Sequence, residues 1–181
     1  MKSRWIALPL LLLTLGGCAS LSEKECRDAD WEQIGYRDGL AGAARTRASD
    51  HGEACGKIGI KVDRPLYFKG YDAGLLRYCT PENAIEVGLA GAAYYGTCPP
   101  DTDALFTDHY RVARAVYDQR QRVSSLDSQR RSLEYKLEKA ESDDARRKLR
   151  AELSRLDYEL RQERDRLYYD ETRLHRLTAG Y

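Results

Sequence analysis

This chain of 181 residues is poor in the side chains that fill a thick core: it has two Phe, two Trp and one Met. With a third of its residues charged, it suits helices that face water more than a large interior. It also lacks an excess of charge. The formal net charge is +1, and without Lys2 and Arg4 the chain keeps 28 basic and 29 acidic residues, which excludes the basic stripe that nucleic acid requires. No proline occurs from Asp103 to Ala179, so nothing there forbids long helices. No nucleophile–base motif, phosphate-cradling glycine loop, metal-binding helix or C-x-x-C pair is present. The expectation is therefore no enzyme, no cofactor, no catalytic residue and no metal ligand.

What is abundant is tyrosine, at thirteen residues. Tyrosine supplies apolar area and keeps a hydroxyl for water or a partner, so it suits thin cores and grooves. The N-terminus reads as an address. Lys2 and Arg4 precede an apolar run from Ile6 to Leu15, too short to span a bilayer and typical of a signal peptide. The run ends in Leu15-Gly16-Gly17-Cys18, which resembles the lipobox of bacterial lipoproteins. The resemblance implies removal of residues 1–17 and acylation of Cys18. Each buried CH₂ of the acyl chains contributes about 0.8 kcal/mol, enough in sum for a stable anchor. Ala19 follows the cysteine, not Asp, and by analogy with enterobacterial sorting this implies the outer membrane, facing the periplasm. Residues 18–25 are expected to be a lipidated tether, with Ser20 to Lys24 as its short free stretch.

Residues 26–100 hold the other four cysteines, Cys26, Cys55, Cys79 and Cys98, at spacings of 29, 24 and 19. An even number in an oxidising compartment implies two disulfides and a small stapled module. Three connectivities are possible. If the helices run up and down, Cys26 before the first and Cys98 after the last fall at one end, which predicts Cys26–Cys98 and Cys55–Cys79. That model needs a helix over about residues 82–95 to hold Cys79 and Cys98 roughly 22 Å apart.

Three helix starts are legible: Asp30 as a cap for a helix running to about Arg47, Asp63-Arg64-Pro65, and Thr80-Pro81-Glu82. A Gly-Tyr phrase recurs, as Gly35-Tyr36-Arg37-Asp38-Gly39 and Gly70-Tyr71-Asp72-Ala73-Gly74, with a looser Gly88-Leu89-Ala90-Gly91. Glycine inside a helix costs about 1 kcal/mol against alanine, so its repetition at face spacing implies backbones in close approach. Asp38 and Asp72 sit inside the two phrases; a carboxylate pair for acid–base work is one reading, and helix-surface acids the plainer one. His51 reads as a helix-end or surface residue.

The order Cys26, Asp30-Trp31, Gly35-Tyr36-x-Asp38-Gly39, His51-x-x-Ala54-Cys55, Asp63, Tyr67-x-x-Gly70, Gly74-Leu75 and Tyr78-Cys79-Thr80-Pro81-Glu82-Asn83, then Gly88, Gly91, Tyr94 and Cys98-Pro99, is similar to one family. It consists of short proteobacterial proteins predicted to be lipoproteins and catalogued only as a domain of unknown function. The resemblance runs from about Leu21 to Pro99, and a helical C-terminal extension is also typical. It implies no activity.

Residues 103–178 carry two heptad seams. Leu105, Val112, Gln119, Leu126 and Leu133 recur every seven residues, as do Leu149, Leu156, Glu163, Asp170 and Leu177. They are out of phase, and Ser142-Asp143-Asp144 between them reads as a new helix start. A turn near 141–144 folds the seams together, Leu133 on Leu153 and Leu126 on Leu160. The fold expected is all-α: a small disulfide-stapled helical module followed by a long antiparallel coiled-coil hairpin. The aromatics Phe106, Tyr110, Tyr117, Tyr168 and Tyr169 are expected to join arm to module. The function expected is that of an outer-membrane lipoprotein acting as a structural or protein-interaction element. Its partners would be the membrane, through the lipid, and an envelope protein on the coiled coil; an oligomer is the rival. The alternative is a binding module for a glycan or peptide, with Trp31 and the tyrosines as stacking surface.

Overall fold

A computed structural model describes residues 20–179, and every regular element among them is an α-helix. The helices are α1 (Glu23–Arg27), α2 (Trp31–Leu40), α3 (Arg47–Gly56), α4 (Arg64–Tyr78), α5 (Pro81–Leu89), α6 (Pro100–Lys139) and α7 (Asp143–Thr178). The caps read from the sequence are made. Asp30, Asp63, Thr80 and Ser142 each accept a hydrogen bond from the backbone N–H three residues on, at 3.0–3.2 Å. Ser22 adds a reciprocal capping box with Glu25 at the start of α1.

The two full Gly-Tyr phrases meet each other. A Cβ at Gly35 would lie 1.9 Å from the carbonyl oxygen of Tyr67, and one at Gly70 would lie 1.9 Å from that of Glu32. Gly39 and Gly74 stand in the same relation to Tyr71 and Tyr36, at 2.1 and 2.3 Å. Each touched carbonyl belongs to the residue three positions before a glycine of the other helix. The contacts therefore advance together along α2 and α4, which run parallel with a local two-fold relation and a register of 35 residues. This is the small-x-x-x-small pattern that brings helix backbones together. Tyr67, Tyr71 and Leu75 are sealed beside the crossing, at 0%, 1% and 3% exposure.

Parallel neighbours need a chain that doubles back, and residues 41–63 provide it. The helix expected to run from Asp30 to about Arg47 stops at Leu40. Gly42, at φ +63°, ends it in a Schellman turn: its N–H donates to the Gly39 carbonyl, and that of Ala43 to the Asp38 carbonyl. Helix α3 then returns the chain to the start of α4. Gly91, at φ +70°, ends α5 by the same bonds, donated to Gly88 and Val87. Gly91 is thus a stop signal and not a third face glycine, whereas Gly88 does sit at a crossing, where a Cβ would meet the carbonyl of Tyr110 at 2.7 Å.

This stop corrects the disulfide pairing. The bridges are Cys26–Cys55 and Cys79–Cys98, not Cys26–Cys98 and Cys55–Cys79. Because α5 covers Pro81–Leu89 and not residues 82–95, residues 90–98 fold back along it, and the Cα atoms of Cys79 and Cys98 lie 5.6 Å apart. The stretch taken as a free tether is folded as well. Leu21 is 8% exposed in the module core, and Ser22 begins α1. Cys18 lies outside the described residues.

The arm follows the expected hairpin. Leu126, Leu133, Leu156 and Leu160 form a buried cluster, with Val123, Leu149 and Leu153 against it. The polar interruption is satisfied in place: Gln119 Nε2 donates to Glu163 Oε2 at 2.5 Å and to the Glu163 carbonyl at 2.9 Å, and Arg166 pairs with Oε1 at 2.8 Å. A buried polar layer of this kind resists register slips, because sliding the helices would strand its donors. Of the aromatics expected at the joint, Phe106 and Tyr110 pack on the module and Tyr117 covers Gly91. Tyr168 and Tyr169 do not; they are 74% and 66% exposed. Among the described residues no helix is long and apolar enough to cross a membrane.

Candidate functional site

The densest polar cluster in the module is drawn from three helices and the N-terminal segment. Asp38 lies in the last turn of α2, His51 in the middle of α3 and Tyr67 in the first turn of α4. His51 Nε2 lies 2.8 Å from Asp38 Oδ2, and the Tyr67 hydroxyl donates to the same oxygen at 2.7 Å. His51 Nδ1 lies 2.8 Å from Ser20 Oγ. His51 is 2% exposed and Tyr67 is fully buried, while Asp38 keeps 20% of its side chain in contact with solvent. An ionised carboxylate only accepts, so Nε2 carries a proton, and in the neutral ring Nδ1 accepts from the Ser20 hydroxyl.

The electrostatics have a definite sign. Burial works to raise the pKa of Asp38, but the hydrogen bonds from His51 and Tyr67 and the nearby charges of His51 and Arg47 outweigh it, so the carboxyl titrates below its usual value. Tyr67 is pushed well up by burial and by the Asp38 carboxylate beside it. A carboxylate with a depressed folded pKa adds stability that is complete above its unfolded pKa, near 4, and is lost as pH falls through the folded value. Asp38→Asn is therefore expected to lose about 2 kcal/mol at pH 7, the net worth of hydrogen bonds to a charge. The gap from the parent should narrow below about pH 4. Urea titrations at pH 7 and pH 3 check this; an equal gap at both would show that the charge is not the cause.

The composition Ser–His–Asp also occurs in nucleophilic relays. Here both ring nitrogens of His51 and the Tyr67 hydroxyl are committed to protein partners, and packing closes off His51. The arrangement joins segments: it fastens α2, α3, α4 and residue 20 at one point.

The other residues singled out fall elsewhere. Asp72 does not pair with Asp38; it is exposed and bonded to Arg45 at 3.1 Å. Arg45 in turn lies over the ring of Phe68, 4.4 Å from its centroid. Asn83 secures the α4–α5 corner by donating to the Tyr78 carbonyl at 2.7 Å. Tyr94 donates to Asp103 while its oxygen accepts from the Cys98 N–H, which ties the second disulfide to α6. Trp31, expected on a stacking surface, is 8% exposed and belongs to the core. His51 is no surface residue. Its role was hidden because its partners lie 31 and 13 residues away in the chain; the one sequence signal was the acid inside the first Gly-Tyr phrase.

The comparisons with known proteins bear on this module. Residues 30–115 match a family model described as "Protein of unknown function (DUF2799)". The match begins at the cap of α2 and ends just past the α5–α6 crossing, so it takes in the parallel pair, Asp38, His51 and Tyr67 of the polar cluster and the second disulfide, and leaves out Ser20 and most of the arm. The chain is also similar to the "Uncharacterized protein YfiL" of Escherichia coli (strain K12), at 28% identity over 101 residues, which cover 54% of this chain and 78% of that one. No solved structure matches.

Proposed function

We propose that this chain is an outer-membrane lipoprotein facing the periplasm, and that it acts as a structural or protein-interaction element through its coiled-coil arm. The observation that supports this best is a lipobox-like Leu15-Gly16-Gly17-Cys18 two residues ahead of Ser20, which is already bonded to His51 of a disulfide-stapled module. Disulfides suit the oxidising periplasm. The arm supports the second half of the reading. Its 36-residue return helix spans about 54 Å, far more than the module uses for its own packing. Exposed Tyr135 and Tyr158 on its outer half are of the residue type favoured at protein contacts. In this reading the protein is not an enzyme, since the relay-like cluster found among the described residues is occupied in fastening helices.

Glycan or peptide binding by the module is the weaker reading. Trp31 is in the core, and the hollow of about 390 Å³ between α3 and residues 60–64 is lined without an aromatic ring.

The test has two arms. Cys18→Ser should stay uncleaved and carry no acyl label. Photo-crosslinkers placed from Arg120 to Arg161 should trap one envelope protein in cells. Normal processing of the mutant would end the localisation argument. Crosslinks between copies of this chain alone, with a dimer mass in solution, would replace the docking arm by a self-associating bundle.

A further inference from the structure

We infer that the partner of the α1–α3 edge of the module is the lipid surface itself: the module sits directly on the bilayer, with no spacer, and the Ser20–His51–Asp38–Tyr67 network is the fastening that holds it there. This rests on the proposed acylation of Cys18 and deepens it. The argument is one of chain length. Ser20 is bound to His51 at 2.8 Å, Leu21 is buried in the core, Ser22 caps α1, and Cys26 bridges to Cys55 at the end of α3. Each of the first residues after Ala19 is thus tied to the folded body by a different interaction. Two peptide units separate Cys18 from Ser20, and two units reach at most about 7 Å. Acyl chains place their cysteine at the boundary between hydrocarbon and headgroups, and the headgroup layer is only several Å deep on each side. Ser20 and the edge that holds it must then lie within or against the headgroups.

Orientation follows from the same bonds. A free tether of several residues would let the module tumble. Here Ser20, two residues after the cysteine, is bonded to the centre of α3, whose His51 is joined through Asp38 to α2 and shares that carboxylate with Tyr67 of α4. The anchor therefore acts on the rigid parallel pair, and the arm, joined to the module through α5 and α6, leaves the membrane in a restricted range of directions.

The experiment uses the full acylated chain in vesicles of phosphatidylethanolamine and phosphatidylglycerol containing a dansyl-headgroup lipid. After signal removal Trp31 is the only tryptophan in the chain, so energy transfer from it reports the height of the module above the surface. Strong transfer is expected for the parent. Twelve Gly/Ser residues inserted between Ala19 and Ser20 change no folded residue and add roughly 19 Å of reach, so transfer should fall several-fold. Combining Ser20→Ala with Leu21→Ser should release the same segment and lower transfer part-way. Equal transfer in parent and linker variant would overturn the inference, as would parent-like transfer in the double variant. Flotation and acyl labelling are read on every sample. Loss of acylation would strike the lipoprotein reading, whereas acylated protein without a linker effect would strike only this one.

Discussion

Gly70→Ala should destabilise the module by about 3 kcal/mol or more, although alanine is the better helix former. Two effects compete. Helix propensity favours the substitution by about 1 kcal/mol in an exposed helix. Against it, the new Cβ would lie 1.9 Å from the backbone oxygen of Glu32, a carbonyl held in α2 that cannot rotate aside as a side chain would. The helices must separate, which loosens Tyr67 and Tyr71 at their crossing and disturbs the bonds that join Tyr67 and His51 to Asp38. Overpacking of a tight core costs roughly 1–3 kcal/mol, and backbone against backbone belongs at the top of that range. Gly35→Ala should behave alike, because the local two-fold relation gives it the same 1.9 Å contact with Tyr67. Gly56→Ala is the control: nothing lies within 4 Å of its Cβ position, so its change should be neutral or slightly stabilising. Urea unfolding followed by Trp31 fluorescence ranks the three, and the idea fails if Gly70→Ala matches Gly56→Ala.

Losing either disulfide should cost a similar amount. The loops closed by Cys26–Cys55 and Cys79–Cys98 span separations of 29 and 19 residues. Constraint of the unfolded chain then predicts losses of about 3.6 and 3.2 kcal/mol for the paired serine substitutions. Their consequences should differ. Without Cys26–Cys55, the N-terminal segment keeps only Leu21 and the Ser20 bond to hold it to α3. Without Cys79–Cys98, residues 90–98 come free of α4, and the start of α6 is held to the module by the packing of Phe106 and Tyr110. Non-reducing peptide mapping comes first, since recovery of Cys26 linked to Cys98 would contradict the fold described here. Amide exchange on the two serine pairs should then show loosening confined to residues 20–27 in one case and 90–105 in the other.

Much of this architecture could be read before the structure was known, because its determinants are local. Asp30, Asp63, Thr80 and Ser142 are caps, and a cap acts on an N–H three residues away. The arm was legible for a related reason. A seven-residue repeat with a phase break and one cap at the break leaves little choice but a hairpin, and Leu126, Leu133, Leu156 and Leu160 meet as the phase requires. The glycines were legible as close-approach positions, but their partners were not. Nothing in Gly35-Tyr36-Arg37-Asp38-Gly39 states that it packs in parallel on its own repeat and not on a third element.

The disulfide pairing failed at one residue. Gly91 serves equally, by sequence, as a face glycine continuing a helix or as the left-handed stop that ends it. The choice turns on whether the ring of Tyr117, from α6, lies against that position, as it does here. By itself, then, the sequence determined the all-helical class, the capped starts of α2, α4, α5 and α7, the hairpin and the number of bridges, all from interactions within a few residues or from a repeat. The tertiary structure alone decided which cysteines meet, which glycine helices touch, and that His51 joins Ser20 to Asp38 and through it to Tyr67. These depend on contacts between segments 13 to 38 residues apart, whose free energy comes from burial and from excluding water around paired polar groups, and no single segment carries that information.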